Sequence, residues 1–241
     1  MKKKALSFLA AGVLLLSLPV EDAAAKANNP KKTMDYVALG DSLAAGQTPY
    51  RTFDDGYPDY IADHFERSQY QMQYHNFGVS GYTSVQLRND VLLNPSVRSE
   101  LKDASHITID IGANDLLPIL KTNPAKAGVA IAGVAVNLEL ILTQIDQLNP
   151  NANVYVMGYY NPFPYYPVDK QEQLLPLLDA LNAQIQLRAW HNGDTYIPTN
   201  EVIAKKALEF LPNPQDIHLS TEGYESIARL FVTEILKQKN K

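Results

Sequence analysis

His106-Ile107-Thr108-Ile109-Asp110-Ile111 is a run rich in β-branched side chains, and Gly112 closes it. A short apolar run bounded by a turn residue reads as a buried strand. Four more segments share the design. Tyr36-Val37-Ala38-Leu39 ends at Gly40, Tyr74 to Phe77 ends at Gly78, and Val154-Tyr155-Val156-Met157 ends at Gly158; Thr195-Tyr196-Ile197 is a weaker fifth. Helical periods lie between them. Leu138, Ile141, Leu142, Ile145 and Leu148 form one face, and Leu174, Leu177, Leu178, Leu181 and Ile185 another. Ile227, Leu230, Phe231 and Ile235 mark a last helix, with Ser220 or Thr221 as its cap. Strands and helices in alternation predict a five-stranded parallel sheet with helices on both faces. The ligand site of such a sheet lies outside the carboxyl ends of its strands.

Composition narrows the chemistry. The chain has 241 residues, 46% hydrophobic and 20% charged, which is ordinary for a globular protein. It has no cysteine, so disulfides, a thiol nucleophile and Cys-ligated zinc are excluded. His64, His75, His106, His191 and His218 show no metal-ligand spacing, and no metal or other cofactor is expected. The net charge of −5 argues against a nucleic-acid partner. Lys2, Lys3 and Lys4, the apolar run Ala5 to Val20 and the small residues Ala23 to Ala27 read as a secretory signal peptide over residues 1–27, cleaved after Ala25 or Ala27. The run has 16 residues, whereas a membrane span needs about 20. With no other stretch taken as comparable, the expectation is an extracellular protein without a membrane span after cleavage. Residues 28–241 then form one domain, without linker or repeat.

The strand ends carry the polar residues. Gly40-Asp41-Ser42-Leu43 follows the first strand, Gly78-Val79-Ser80-Gly81 the second, and Gly112-Ala113-Asn114-Asp115 the third; Gln215-Asp216-Ile217-His218 precedes the last helix. A hydroxyl nucleophile needs a base for its proton and donors for the oxyanion it creates. Ser42 and His218 can supply the first pair. The N–H groups of Ser42 and Gly81 and the Asn114 amide can supply three donors. Asp41 and Asp115 are expected to bond nearby loop backbone. Ser80 lies in Gly78-Val79-Ser80-Gly81-Tyr82, whose fifth residue breaks the Gly-x-Ser-x-Gly elbow.

These four blocks, in this order, resemble the GDSL, or SGNH, hydrolase family, over about residues 35–235. The resemblance implies a flavodoxin-like three-layer α/β/α fold. It also implies a serine esterase or lipase working through an acyl-enzyme on Ser42, with His218 as base and Ser42, Gly81 and Asn114 as oxyanion hole. One departure stands out. The family usually has Asp three residues before the catalytic His; here that position is Gln215, and Asp216 lies two before. The imidazole is then oriented by Asp216, by the Gln215 carbonyl or by another group.

Residues 155–166 hold five of the 14 tyrosines and follow the fourth strand. Tyr159, Tyr160 and Phe163 are candidate walls for an acyl or sugar group, or else packed loop residues. The loop from Tyr50 to Tyr57 is a second candidate wall. The Asp54-Asp55 pair there is read as solvated. The expected substrate is a small-molecule, lipid or carbohydrate ester. The main reading is an esterase or lipase on acyl esters; the others are a carbohydrate O-acetyl esterase and a non-catalytic binding module on the same fold.

Overall fold

A strand covered on both faces can be apolar at nearly every position. In the computed structural model, which describes residues 31–238, β1 (Thr33–Gly40) and β3 (His106–Asp110) are such strands. Every residue of β3 is buried, including Thr108, whose hydroxyl meets the Tyr36 hydroxyl at 2.9 Å. The expected leader, residues 1–27, lies outside the described residues. β2 (Gln71–Gly78) lies at the edge and alternates between exposed and half-buried positions. Its polar start, Gln71 to Gln73, hid the first three residues of the strand from a search for apolar runs. β4 (Asn153–Met157) and β5 (Thr195–Ile197) complete an all-parallel sheet in the order β2-β1-β3-β4-β5. This is the flavodoxin-like order, and the expected five parallel strands are all present.

Two helical layers cover the sheet. On one face α1 (Tyr57–Arg67) packs against α9 (Thr221–Gln238), with Tyr57 stacked on Phe231 at 4.9 Å between centroids. Ser220 caps α9 as expected, its Oγ accepting from Gly223 N–H at 3.4 Å. On the other face α2 (Ser84–Leu93), α5 (Ala127–Leu148) and α6 (Val168–Asn192) pack side by side. The crossovers place them there because parallel connections are right-handed. Short helices α3 (Pro95–Asp103), α4 (Ala113–Thr122), α7 (Asn200–Ala204) and α8 (Ala207–Phe210) fill the connections.

Helix α5 corrects one expectation. With the turn before it, Pro124–Leu148 is long and apolar enough, by length and composition, to cross a membrane. The N-terminal run is therefore not the only stretch of that kind. Leu138, Ile141, Leu142 and Ile145 on α5 are buried in the core. Asn137, also buried, donates to Ser84 Oγ at 2.8 Å and accepts from Arg88 at 2.8 Å.

Asp194 sits where α6 gives way to β5. Burial, with Asp146 nearby, pushes its carboxyl up to about 7, against the hydrogen bond from Asn192. A carboxyl raised in the folded state favours folding while protonated. Stability is therefore lost as pH rises from the unfolded value of about 4 towards 7. Asp194→Asn keeps an acceptor for Asn192 and removes the charge. Partial exposure screens the expected gain above neutral pH to about 1–2 kcal/mol, roughly 3–6 °C in Tm. Thermal unfolding at acid and alkaline pH checks this: the variant should gain only at the alkaline end.

Candidate active site

The turn bearing Ser42 begins where β1 stops. Gly40 faces Asp110 across the β1–β3 pair. A Cβ on Gly40 would lie 2.2 Å from Asp110 Oδ1, so only glycine lets that carboxyl cross the end of the strand. Asp41 N–H is shared between the carbonyl and Oδ2 of Asp110, each at 3.1 Å. Val79 N–H donates to the Gly40 carbonyl at 3.1 Å. The chain then coils tightly, with Ala45 N–H on the Asp41 carbonyl and Gln47 N–H on the Ser42 carbonyl. Ser42 is held at the rim of the sheet, 7% exposed.

His218 meets Ser42 from the other side. Nε2 lies 2.8 Å from Ser42 Oγ, and Nδ1 lies 2.5 Å from Asp216 Oδ1. The same Asp216 oxygen accepts His218 backbone N–H at 2.9 Å. This is an Asx turn, in which a carboxylate folds back on the amide two residues later. It explains how an acid two residues before the imidazole reaches its ring. Asp216 oriented by its own turn, and not the Gln215 carbonyl, holds Nδ1–H and leaves Nε2 as acceptor. Tyr160 OH donates to the Ile217 carbonyl at 2.7 Å, and Asn213 donates to the Pro49 carbonyl at 2.7 Å, which anchors this loop. Arg51 Nε stands 4.0 Å from Asp216 Oδ2 on a mostly exposed side chain, where solvent weakens the pair.

The donors stand around the same turn. Among the described residues no acceptor is bonded to the N–H of Ser42 or Gly81. Gly81 has φ +83° as third residue of a turn closed by Tyr82 N–H on the Val79 carbonyl, a position that favours glycine. Asn114 uses one amide hydrogen on the Tyr82 carbonyl at 2.9 Å and keeps the other free to point elsewhere. Asp115 accepts from the N–H and Oγ of Ser84 at 2.8 and 2.7 Å, docking α2 against α4. Asp41 accepts Leu43 N–H at 3.0 Å. Asp41 thus bonds nearby backbone, as expected, whereas Asp115 reaches the start of α2 instead of its own loop. Ser80 is exposed and bonds Gln47, not an imidazole.

A narrow apolar pocket opens beside Ser42. Leu116, Leu117 and Leu120 of α4, Leu178 and Leu181 of α6, and Tyr159, Tyr160 and Phe163 line it. All three aromatic candidates line this pocket, and all are also packed, at 4–5% exposure. Leu178 and Leu181 had been visible only as helix periodicity, and the α4 leucines had not been singled out. The second candidate wall needs correction. Tyr57 opens α1, is fully buried and donates to Asp110 Oδ1 at 2.7 Å; Tyr50 is 70% exposed and borders a separate groove. Asp54 and Asp55 are exposed, as expected. Of the other histidines, His64, His75 and His191 are exposed, while His106 is buried at the opposite end of the sheet.

Burial pushes the Asp41 and Asp110 carboxyls above the usual range, Asp110 the further because Asp41 lies beside it. Desolvation also raises Asp115, against two bonds from Ser84. Sequence reading did not single out Asp110. Its one signal is an acid inside a β-branched run, at a strand end.

The sequence profile of the GDSL-like lipase/acylhydrolase family matches residues 38–226. The uncharacterized protein YpmR of Bacillus subtilis (strain 168) is 29% identical over 180 residues, 68% of this chain and 69% of its own length. Among solved structures, the lipase Lip_vut3 from a goat rumen metagenome superposes with a TM-score of 0.72 at 22% identity, covering 84% of this chain and 97% of that one. Axe2, an acetylxylan esterase from Geobacillus stearothermophilus, superposes at 0.64 with 16% identity over 85% of this chain and 94% of its own. These likenesses are ones of fold. The profile spans most of the chain, so the protein belongs to the GDSL-like lipase/acylhydrolase family and is a carboxylic ester hydrolase.

Proposed function

We propose that Ser42 is the nucleophile of this hydrolase, His218 its general base and Asp216 the group that orients and charges the imidazole. The observation that carries the reading is the continuous chain Ser42 Oγ–His218–Asp216, at 2.8 and 2.5 Å, at the mouth of an apolar pocket. Ser42 has a single proton to donate. Nε2 at 2.8 Å is a far better acceptor than Asp41 Oδ1 at 3.5 Å. As Oγ attacks the ester carbonyl, that proton passes to Nε2, and Asp216 stabilises the imidazolium. The carbonyl oxygen becomes an oxyanion facing the N–H groups of Ser42 and Gly81 and the free Asn114 hydrogen. Collapse expels the alcohol, which takes the proton from His218. Water then repeats the sequence on the acyl-enzyme.

The acyl chain of the substrate lies in the leucine-lined pocket. A sugar ring there would leave its hydroxyls without partners, because Tyr159 and Tyr160 already spend theirs on Asp41 and the Ile217 carbonyl. This favours acyl esters over an acetylated carbohydrate as substrate. We also read residues 1–27 as a cleaved secretion signal, which puts the enzyme outside the cell.

A fluorophosphonate should attach once, to Ser42; an adduct mapped to Ser80, or none on active protein, would remove the assignment. On p-nitrophenyl esters, activity should rise from acetate to medium chains and fall towards palmitate. Highest activity on acetate together with release of acetyl groups from xylan would favour the carbohydrate reading. Asp216→Asn retains the turn but loses the charge, and kcat should fall by about 10²-fold or more. A near-wild-type rate would reduce the machinery to Ser42 and His218.

A further inference from the structure

Two aspartates lie back to back beneath Ser42, and the mechanism above uses neither. Asp41 ends the β1 crossing and Asp110 ends β3; they are 1% and 0% exposed. Asp110 Oδ2 accepts Asp41 N–H at 3.1 Å, which sets the two buried carboxyls side by side in a dry site. Two carboxylates have only acceptors to offer one another, so one of the pair must carry a proton. The remaining contacts decide which. Asp41 accepts Leu43 N–H at 3.0 Å and Tyr159 OH at 2.8 Å. Asp110 accepts Tyr57 OH at 2.7 Å and Asp41 N–H at 3.1 Å. Farther out, the phenols of Tyr160 and Tyr224 neighbour both carboxyls and that of Tyr36 neighbours Asp110, and none of them carries positive charge. Asp41 additionally feels His218. The negative charge is therefore better placed on Asp41 and the proton on Asp110.

We propose that Asp110 is a positioning residue for ester hydrolysis: its carboxyl keeps a proton at working pH and donates it to Asp41, fastening the turn that bears Ser42 to the strand end that leads into Asn114 on α4. The proposal rests on the roles given to Ser42 and Asn114. The link is short in sequence on both sides, since Asp41 precedes Ser42 and Asp110 comes four residues before Asn114. It also limits the pair to one negative charge. A second charge in this dry position would oppose the oxyanion that forms just above it. Burial and the neighbouring Asp41 hold the Asp110 carboxyl well above the ordinary carboxylate range, as the arrangement requires.

Asparagine at 110 can still donate to Asp41 and accept from Tyr57, whereas alanine can do neither. Asp110→Ala should lower kcat at least about tenfold with KM within about threefold, and Asp110→Asn should recover most of that loss. The infrared spectrum of the resting wild type at about pH 8, where Asp194 at about 7 is mostly ionised, should show a protonated carboxyl that Asp110→Asn lacks. The folded-state proton also predicts a sign. Wild-type stability should fall with rising pH through neutrality by about one proton's slope more than that of Asp110→Asn. No infrared difference, equal slopes, or an alanine variant as active as the asparagine one would overturn the proposal. If the alanine variant does not fold, the spectrum and the slope still decide. Neither depends on catalysis: a wild type that shows the band but takes no fluorophosphonate on Ser42 would overturn the role in hydrolysis and leave the shared proton standing.

Discussion

A parallel sheet leaves unpaired backbone groups where its strands end, and at the end of β1 those groups are claimed from both sides. Val79 N–H takes the Gly40 carbonyl, and Asp110 takes Asp41 N–H twice over. Ser42 follows within one residue, so its position is set by the sheet and not by a loose loop. The same strand ends launch the chain towards Gly81 and Asn114. Register between β1, β2 and β3 thus translates directly into the relative placement of hydroxyl and donors. The missing Cβ at Gly40 is the condition for this, because any side chain would displace the Asp110 carboxyl.

The imidazole arrives by a different logic. It belongs to no strand, and it is placed by a short loop tied at several points: Asp216 to its own i+2 amide, Asn213 to Pro49, and the Ile217 carbonyl to Tyr160. Each tie is weak alone, about 1 kcal/mol net. Together they leave the ring little freedom, and Asp216 performs two tasks with one oxygen. An acid at this spacing works because the carboxylate turns back on the chain instead of extending from it.

Tyrosines serve both the scaffold and the pocket. Tyr159 and Tyr160 line the pocket and send their hydroxyls to Asp41 and to the His218 loop. A buried hydroxyl needs a partner, and here the partners are the elements that flank Ser42. The pocket wall, the Ser42 turn and the His218 loop are therefore mechanically continuous.

By itself the amino-acid sequence determined the five parallel strands, their helical layers and the blocks holding Ser42, Gly81, Asn114 and His218. Those features are written in local patterns: periodicity, glycine at strand ends, and the order of the polar blocks. The polar half of β2 was missed because an edge strand exposes one face and does not need apolar residues there. Only the tertiary structure decided that Asp216 reaches the His218 ring, because spacing alone does not give the direction in which a turn folds. It also decided that Leu178 and Leu181 of α6, buried in the core, line a pocket as well, since helix periodicity is identical in both cases. Asp110 was legible only as an acid in a strand. Its partner Asp41 lies 69 residues away, and contacts between residues that far apart in the chain exist only once the sheet has brought β1 and β3 together.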